Sequence, residues 1–244
     1  MARATLPLLV LVGRPASGKS EIIDYLQHLD AGERRRRFGL GELAVLDDFP
    51  MLWAWFEEDA ILQQMGKPRL HTTPDGSFAG VHLWDVLVRR LCLEYDKLLA
   101  ADPHAAGQTS VIMEFSRGVE HGGYRRAFGE LAETVLARAA VLYVRVSFEE
   151  SLRKNRKRFN PDRPGSILEH SLPEEKLRRL YGRDDWDGLE RPDPDHILVR
   201  GHRLPAVVFE NEDDVTTPRG PALGARLEEC LPRLSAIRAG SARE

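Results

Sequence analysis

The chain has 244 residues, 42% hydrophobic and 30% charged, with a formal net charge of −3. That length buries one substantial core and favours one α/β domain with insertions over two domains. The near balance of charge excludes a global attraction to nucleic acid or anionic membrane, and no apolar run is long enough to span a bilayer.

Leu8 to Val12 reads as a short buried strand. It runs into Gly13-Arg-Pro-Ala-Ser-Gly18-Lys19-Ser20, the spacing G-x-x-x-x-G-K-[ST], and then into a helical pattern at Ile22, Ile23, Leu26 and Leu29. Glycines at those positions let backbone N–H groups curl around an anion, and the positive end of the next helix attracts it too. Gly13, Ala16, Ser17, Gly18, Lys19, Ser20 and Glu21 are therefore the candidate nucleotide contacts. Lys19 would reach the β- and γ-phosphates and Ser20 would hold Mg²⁺. An N-terminal apolar run that leads directly into this loop leaves no signal-cleavage site that would spare it, so a cytoplasmic location is expected.

Further along, Arg34 to Phe38 ("RRRRF") is expected to be a charged, solvated surface segment rather than a nucleic-acid contact. Leu43 to Leu46 is a second strand ending in "DDF". Residues 51–65 and 81–100 have helical periodicity around the turn-rich "HTTPDGSFAG". "SVIMEF" (110–115) is a third strand, 124–138 a helix, "AVLYVRV" (140–146) a fourth strand, and 148–158 a basic helix. A Pro- and Arg-rich stretch, a helix near 173–181, a hairpin from "HILV" and "AVVF", and a closing helix at 219–235 complete the chain. Cys92 and Cys230 lie in apolar helical patterns and are expected as buried free thiols.

At the phosphate loop the sequence resembles the P-loop nucleoside triphosphatases, and the alternating elements imply a three-layer α/β fold: a central, mostly parallel sheet with helices on both faces. In such a fold ligands sit at the carboxyl ends of the strands, where Gly13, Asp47-Asp48 and Glu114 all fall. "DDF" resembles the same tripeptide after the second strand of uridine kinase-like and nicotinamide riboside kinase-like enzymes. That likeness implies Asp47, and Asp47 only, as the base; Asp48 beside it is a candidate substrate contact. The competing reading is a helix cap, with Asp48 as its owner.

Glu114 ends an otherwise apolar strand and needs a partner if buried. Mg²⁺ with its water shell is one, as in a Walker B strand, and an ion pair with Arg117 is the other. Arg117 itself is read either as a contact for a substrate anion or as an exposed loop arginine. Arg153, Arg156, Arg158, Arg163 and Arg183 resemble the arginine-rich lid of small-molecule and nucleoside monophosphate kinases, which implies Arg156 and Arg163 as contacts to the transferring phosphate. Trp84 and Asp85 fall where nucleoside kinases hold the acceptor, or are a core Trp and a helix cap. Asn211, in the turn after "VVF", lies near the base or in a plain acidic turn.

The likeness is carried by residues 6–30, 43–50, 110–117 and 140–160. It implies one domain over 1–238, with a lid-like insertion at about 158–185 and a frayed tail at 239–244. Neither the guanine motif [NT]-K-x-D nor the transporter signature L-S-G-G-Q occurs, which favours ATP as donor. The activity implied is transfer of the ATP γ-phosphate, with Mg²⁺, to a small metabolite or nucleoside-type acceptor; no nucleic-acid or membrane partner is indicated. Two alternatives remain: a nucleotide-binding regulator or slow ATPase, and a toxin-type nucleotide-sugar kinase.

Overall fold

In the computed structural model, residues 5–101, 108–158 and 172–241 are described. The apolar runs become β1 (Leu8–Gly13), β2 (Glu42–Asp47), β3 (Thr109–Phe115), β4 (Ala139–Arg145), β5 (His196–Val199) and β6 (His202–Glu210). They form one six-stranded sheet of order β2-β3-β1-β4-β6-β5. Every neighbouring pair is parallel except β5 with β6, an antiparallel hairpin. Central parallel strands are covered on both faces, so β1 has six buried residues in a row instead of an alternating pattern.

The helices are α1 (Lys19–His28), α2 (Ala31–Phe38), α3 (Asp48–Gln64), α4 (His82–Ala101), α5 (Gly123–Gly129), α6 (Glu133–Leu136), α7 (Phe148–Arg158), α8 (Glu174–Tyr181) and α9 (Pro221–Ser241). The period of two along a strand divides the core between the faces. Leu9, Leu11, Ile112, Leu142 and Val144 pack against Ile22 and Leu26 of α1 and Leu223, Leu227 and Leu231 of α9. Val10, Val12, Met113, Phe115, Val141 and Tyr143 pack on the other face, against Val88, Leu91 and Tyr95 of α4 and Tyr124 and Phe128 of α5. The result is the three-layer α/β arrangement expected, with β1 and its phosphate-loop spacing between β3 and β4.

Four local expectations are corrected. "RRRRF" is not a solvated loop but most of α2, capped by Asp30, whose side chain accepts from Glu33 N, and ended by Gly39 in the left-handed region. Arg34 is buried there because its guanidinium donates to the carbonyls of Leu26, Leu29 and Gly41 at 2.8–2.9 Å, tying the end of α1 to the start of β2. The helix expected at 124–138 is two, α5 and α6, broken after Gly129 where Ala132 takes an extended conformation. The closing helix runs on from the expected 235 to Ser241 despite Pro232; Leu231 and Leu234 on either side of the proline are fully buried. The helix expected from 51 begins at Asp48. Cys92 and Cys230 are buried and free.

Candidate functional site

The turn from β1 into α1 is built so that only its own residues fit. Ala16 and Gly18 have φ of 56° and 112°, a backbone region that glycine enters without strain. A Cβ on Gly18 would meet Thr216 Oγ1 at 2.5 Å and Asn211 Nδ2 at 2.7 Å, and one on Gly13 would lie 2.6 Å from Val144 O. The loop is therefore pressed against β4 and the turn after β6. Ser151 Oγ donates to Pro15 O at 2.7 Å, Asn211 Nδ2 donates to Ser17 O at 2.7 Å, and Arg14 is ion-paired with Asp184. Asn211 is fully buried beneath the loop, so what the structure assigns it is support of Ser17 rather than a place in the cleft.

Lys19 opens α1 and is buried. Its Nζ donates to Arg14 O at 3.0 Å and Ser116 Oγ at 2.8 Å, and stands 3.7 Å from Glu114 Oε1. Glu114 and Asp47 are partners in the β2–β3 register, so the two carboxyls leave adjacent parallel strands side by side on the α1 face of the sheet. Asp47 Oδ1 accepts from Phe49 N at 2.9 Å; the cap of α3 thus falls to Asp47 and not to Asp48. Burial, then the negative charges of Glu114 and Asp48, push the Asp47 carboxyl up to about 7, with Lys19 pulling the other way. Such a group exchanges its proton near neutrality.

Asp48 is buried and takes a 2.7 Å ion pair from Arg117 Nη1. Arg117 is only 1% exposed, also donates to Ser116 O and Trp84 O, and lies 5.0 Å over the Trp84 ring. Neither reading of Arg117 as an exposed loop residue nor its pairing with Glu114 matches this geometry: its charge is committed to Asp48. Burial raises the Asp48 carboxyl while Arg117 opposes that rise.

Ser20, Glu21, Lys19, Asp47, Asp48, Glu114, Arg117 and Trp84 line one cleft of about 190 Å³ at the carboxyl end of the sheet. It adjoins a larger cavity of about 520 Å³, with Phe49, Leu52, Trp84, Leu172 and Tyr181 in the walls of both. Asp85 reaches neither; it forms a bidentate pair with Arg126, at 2.8 and 2.6 Å. Arg156 is exposed and ion-paired with Glu174, and Arg153 with Glu150 and Asp214, so neither enters the cleft. Arg163 lies outside the described residues, as does 159–171 of the expected lid; 172–185 contains α8 and the turn that pairs Asp184 with Arg14.

Sequence reasoning missed Ser116, Asn155, Tyr181 and His121. Ser116 directly follows "EF" and receives Lys19, a position that the strand-end rule reaches by one more residue. Asn155 brackets Leu172 with two hydrogen bonds, an association across 17 positions that no local pattern announces.

The donors at the cleft, Ser20 hydroxyl and the Asp47 and Glu114 carboxylates, are oxygens, which suit a hard cation such as Mg²⁺. Among the described residues no group of three or more His, Cys, Asp or Glu side chains forms a metal cage. Among the same residues no helix is long and apolar enough to cross a membrane.

No protein-family model matches the chain, and no curated protein matches it. Solved structures do. A sugar kinase from Janibacter sp. HTCC2649 is similar at 19% identity over 91% of this chain and 90% of that one, with a TM-score of 0.41. The protein APE1195 is similar at 16% identity over 94% and 97% of the two chains, with a TM-score of 0.43. At that level of similarity the function has to be argued from the site itself.

Proposed function

We propose that the chain is a Mg²⁺-dependent phosphotransferase that moves the γ-phosphate of ATP to a hydroxyl of a small acceptor. The observation that carries this reading is the convergence, at the ends of three adjacent parallel strands, of Lys19 and Ser20 after β1, Asp47 at the end of β2 and Glu114 on β3 in one cleft. The topology that gathers them is what phosphoryl transfer needs: positioned donors for the phosphates and a carboxylate facing the acceptor.

In this reading the loop amides and Lys19 bind the β- and γ-phosphates, and Ser20 and Glu114 hold the cation directly or through water. The cation, when bound, offsets charge on the phosphate oxygens. Asp47 orients the acceptor hydroxyl and takes its proton as the acceptor oxygen bonds to the γ-phosphorus. The bond from that phosphorus to the bridging oxygen breaks, and ADP leaves with the electron pair. Arg117 holds Asp48 and Trp84 in place and does not touch the phosphates. Arg156 and Arg163 are the lid contacts proposed from sequence; Arg156 would first have to leave Glu174.

The test is nucleotide binding. Lys19→Ala should weaken Mg·ATP affinity at least tenfold in calorimetry while circular dichroism keeps the parental fold; melting falls modestly, because the buried Lys19 also donates to Arg14 O and Ser116 Oγ and offsets Glu114. Equal affinity in a folded Lys19→Ala variant would defeat the proposal.

A further inference from the structure

The cavity beside the cleft has a composition that the phosphate chemistry does not use. Phe56 and Phe78 stack at 5.8 Å, Phe78 meets Trp84 at 4.6 Å, and Trp84 lies on His121 at 3.8 Å, giving one continuous aromatic wall. Trp53, Val81 and Tyr181 extend it. At about 520 Å³ the space is within the range of sites for drug-sized ligands. Polar lining is sparse: Ser77, Glu120, His121, and two cations from α8, Lys176 and Arg179. A sugar, or the edge of a nucleobase, needs several fixed donors and acceptors, and such a wall offers few.

The two cations are unusual for this chain. On the same helix, Arg178 shares Glu174 with Arg156. Lys176 instead donates to Gly76 O and Arg179 to Ser77 Oγ, and among the described residues no carboxylate is within ion-pair distance of either. The acidic groups that face them are Asp75, already accepting from Ser77 Oγ, and exposed Glu120 on the cavity rim. Burial, then the neighbouring Arg179, lowers the Lys176 ammonium from its ordinary value, with the Asp75 charge pulling the other way. Lys176 and Arg179 line the cavity but not the cleft, whereas Phe49, Leu52 and Trp84 line both.

We infer that this cavity is the acceptor subsite and takes a hydroxylated, largely apolar ring compound carrying an anionic group, its hydroxyl toward Asp47 and its anion between Lys176 and Arg179. The inference rests on the phosphotransferase reading for the word acceptor. Its recognition chemistry stands on the cavity alone: stacking on the aromatic wall, and two cations with no carboxylate within ion-pair distance among the described residues.

The experiment is calorimetry on the full chain in excess Mg·ADP, which fills the nucleotide cleft, with 6-(hydroxymethyl)-2-naphthoate and its neutral methyl ester, and with adenosine and AMP for a nucleoside or nucleotide source. The naphthoate should bind about tenfold tighter than the ester, the effect of charge-assisted bonds in a partly buried site. Lys176→Gln with Arg179→Gln should abolish that difference and leave ester binding unchanged. Val81→Asn, at a position 43% exposed and so tolerant of substitution, should weaken the naphthoate and the ester together. Equal binding of acid and ester, a preference that survives the double substitution in a chain that melts normally, or tighter binding of adenosine or AMP than of naphthoate would overturn the inference. Failure of the nucleotide site shows separately, in Lys19→Ala, and leaves the acid–ester comparison readable; loss of the acid preference with ATP binding intact removes the acceptor class alone.

Discussion

Replacing Asp47 with Asn exchanges one carboxylate oxygen for an amide and removes a negative charge from the row Asp47, Glu114 and Asp48, while an oxygen remains to accept from Phe49 N. Two consequences follow, one for stability and one for turnover. The folded protein holds the Asp47 proton up to about 7 against an ordinary 3.8. Between those values the native state binds more protons than the unfolded chain, so the parent loses stability as pH rises from about 4 to about 7 and levels off above. At about 1.4 kcal/mol per tenfold change in proton affinity the full gap is ~4 kcal/mol; water in the open cleft screens it, leaving about 2 kcal/mol. Asn does not titrate and caps as well as Asp. Urea unfolding should therefore find the variant equal to the parent near pH 4 and about 2 kcal/mol more stable at pH 8. Acceptor-dependent turnover should fall about 10²- to 10⁴-fold with ATP affinity near parental. In the parent, turnover should decline below the pH at which Asp47 takes up its proton. A variant less stable than the parent at pH 8, or a stability difference flat in pH, would refute the electrostatic argument, and parental turnover would refute the base.

Three further outcomes follow from the same geometry. Glu114→Gln should raise the Mg²⁺ concentration needed for half-maximal turnover while ATP stays bound, and an unchanged Mg²⁺ titration would remove Glu114 from the cation. Arg117→Leu leaves the Asp48 charge buried without its partner and should cost about 3–5 kcal/mol in urea unfolding, much of it recovered by adding Asp48→Asn; a loss under about 1 kcal/mol would show that the pair is not buried as described. Gly18→Ala places a methyl 2.5 Å from Thr216 Oγ1 at a φ of 112° and should lower the melting midpoint, by about 1–3 kcal/mol of strain, together with Mg·ATP affinity; an unchanged midpoint would contradict the loop packing.

The parts of the fold that could be read from sequence are those where a local pattern has one physical solution. A short apolar strand, a glycine-spaced basic loop and a helical period leave little choice but β1, a tight turn and α1, and unbroken apolar runs at 111–113 and 140–144 read as strands covered on both faces. "RRRRF" misled because charge was weighed without the neighbouring carbonyls: three backbone oxygens around Arg34 stabilise a buried guanidinium that composition places in water. At the cleft, residue type and strand end placed Lys19, Asp47 and Glu114 together, but partners were set by long-range geometry. Whether Arg117 pairs with Glu114, three residues away, or with Asp48, 69 positions away, is decided by where α3 begins. The bond from Asn211 to Ser17 was not legible for the same reason, since it spans 194 positions. Of the aromatic cavity, only Phe49 of "DDF" and Trp84 were singled out in the sequence; the rest draws on α3, the 76–81 turn, residues 120–121 and α8, which carry no motif.

The most direct measurement of the account is product analysis after incubating the full chain with Mg·ATP and a library of hydroxylated acceptors. Phosphoryl transfer through Asp47 predicts a phosphorylated acceptor formed in one-to-one ratio with ADP, lost in Lys19→Ala and in Asp47→Asn. ADP accompanied only by inorganic phosphate, at a rate that no acceptor raises and Asp47→Asn does not lower, would contradict it.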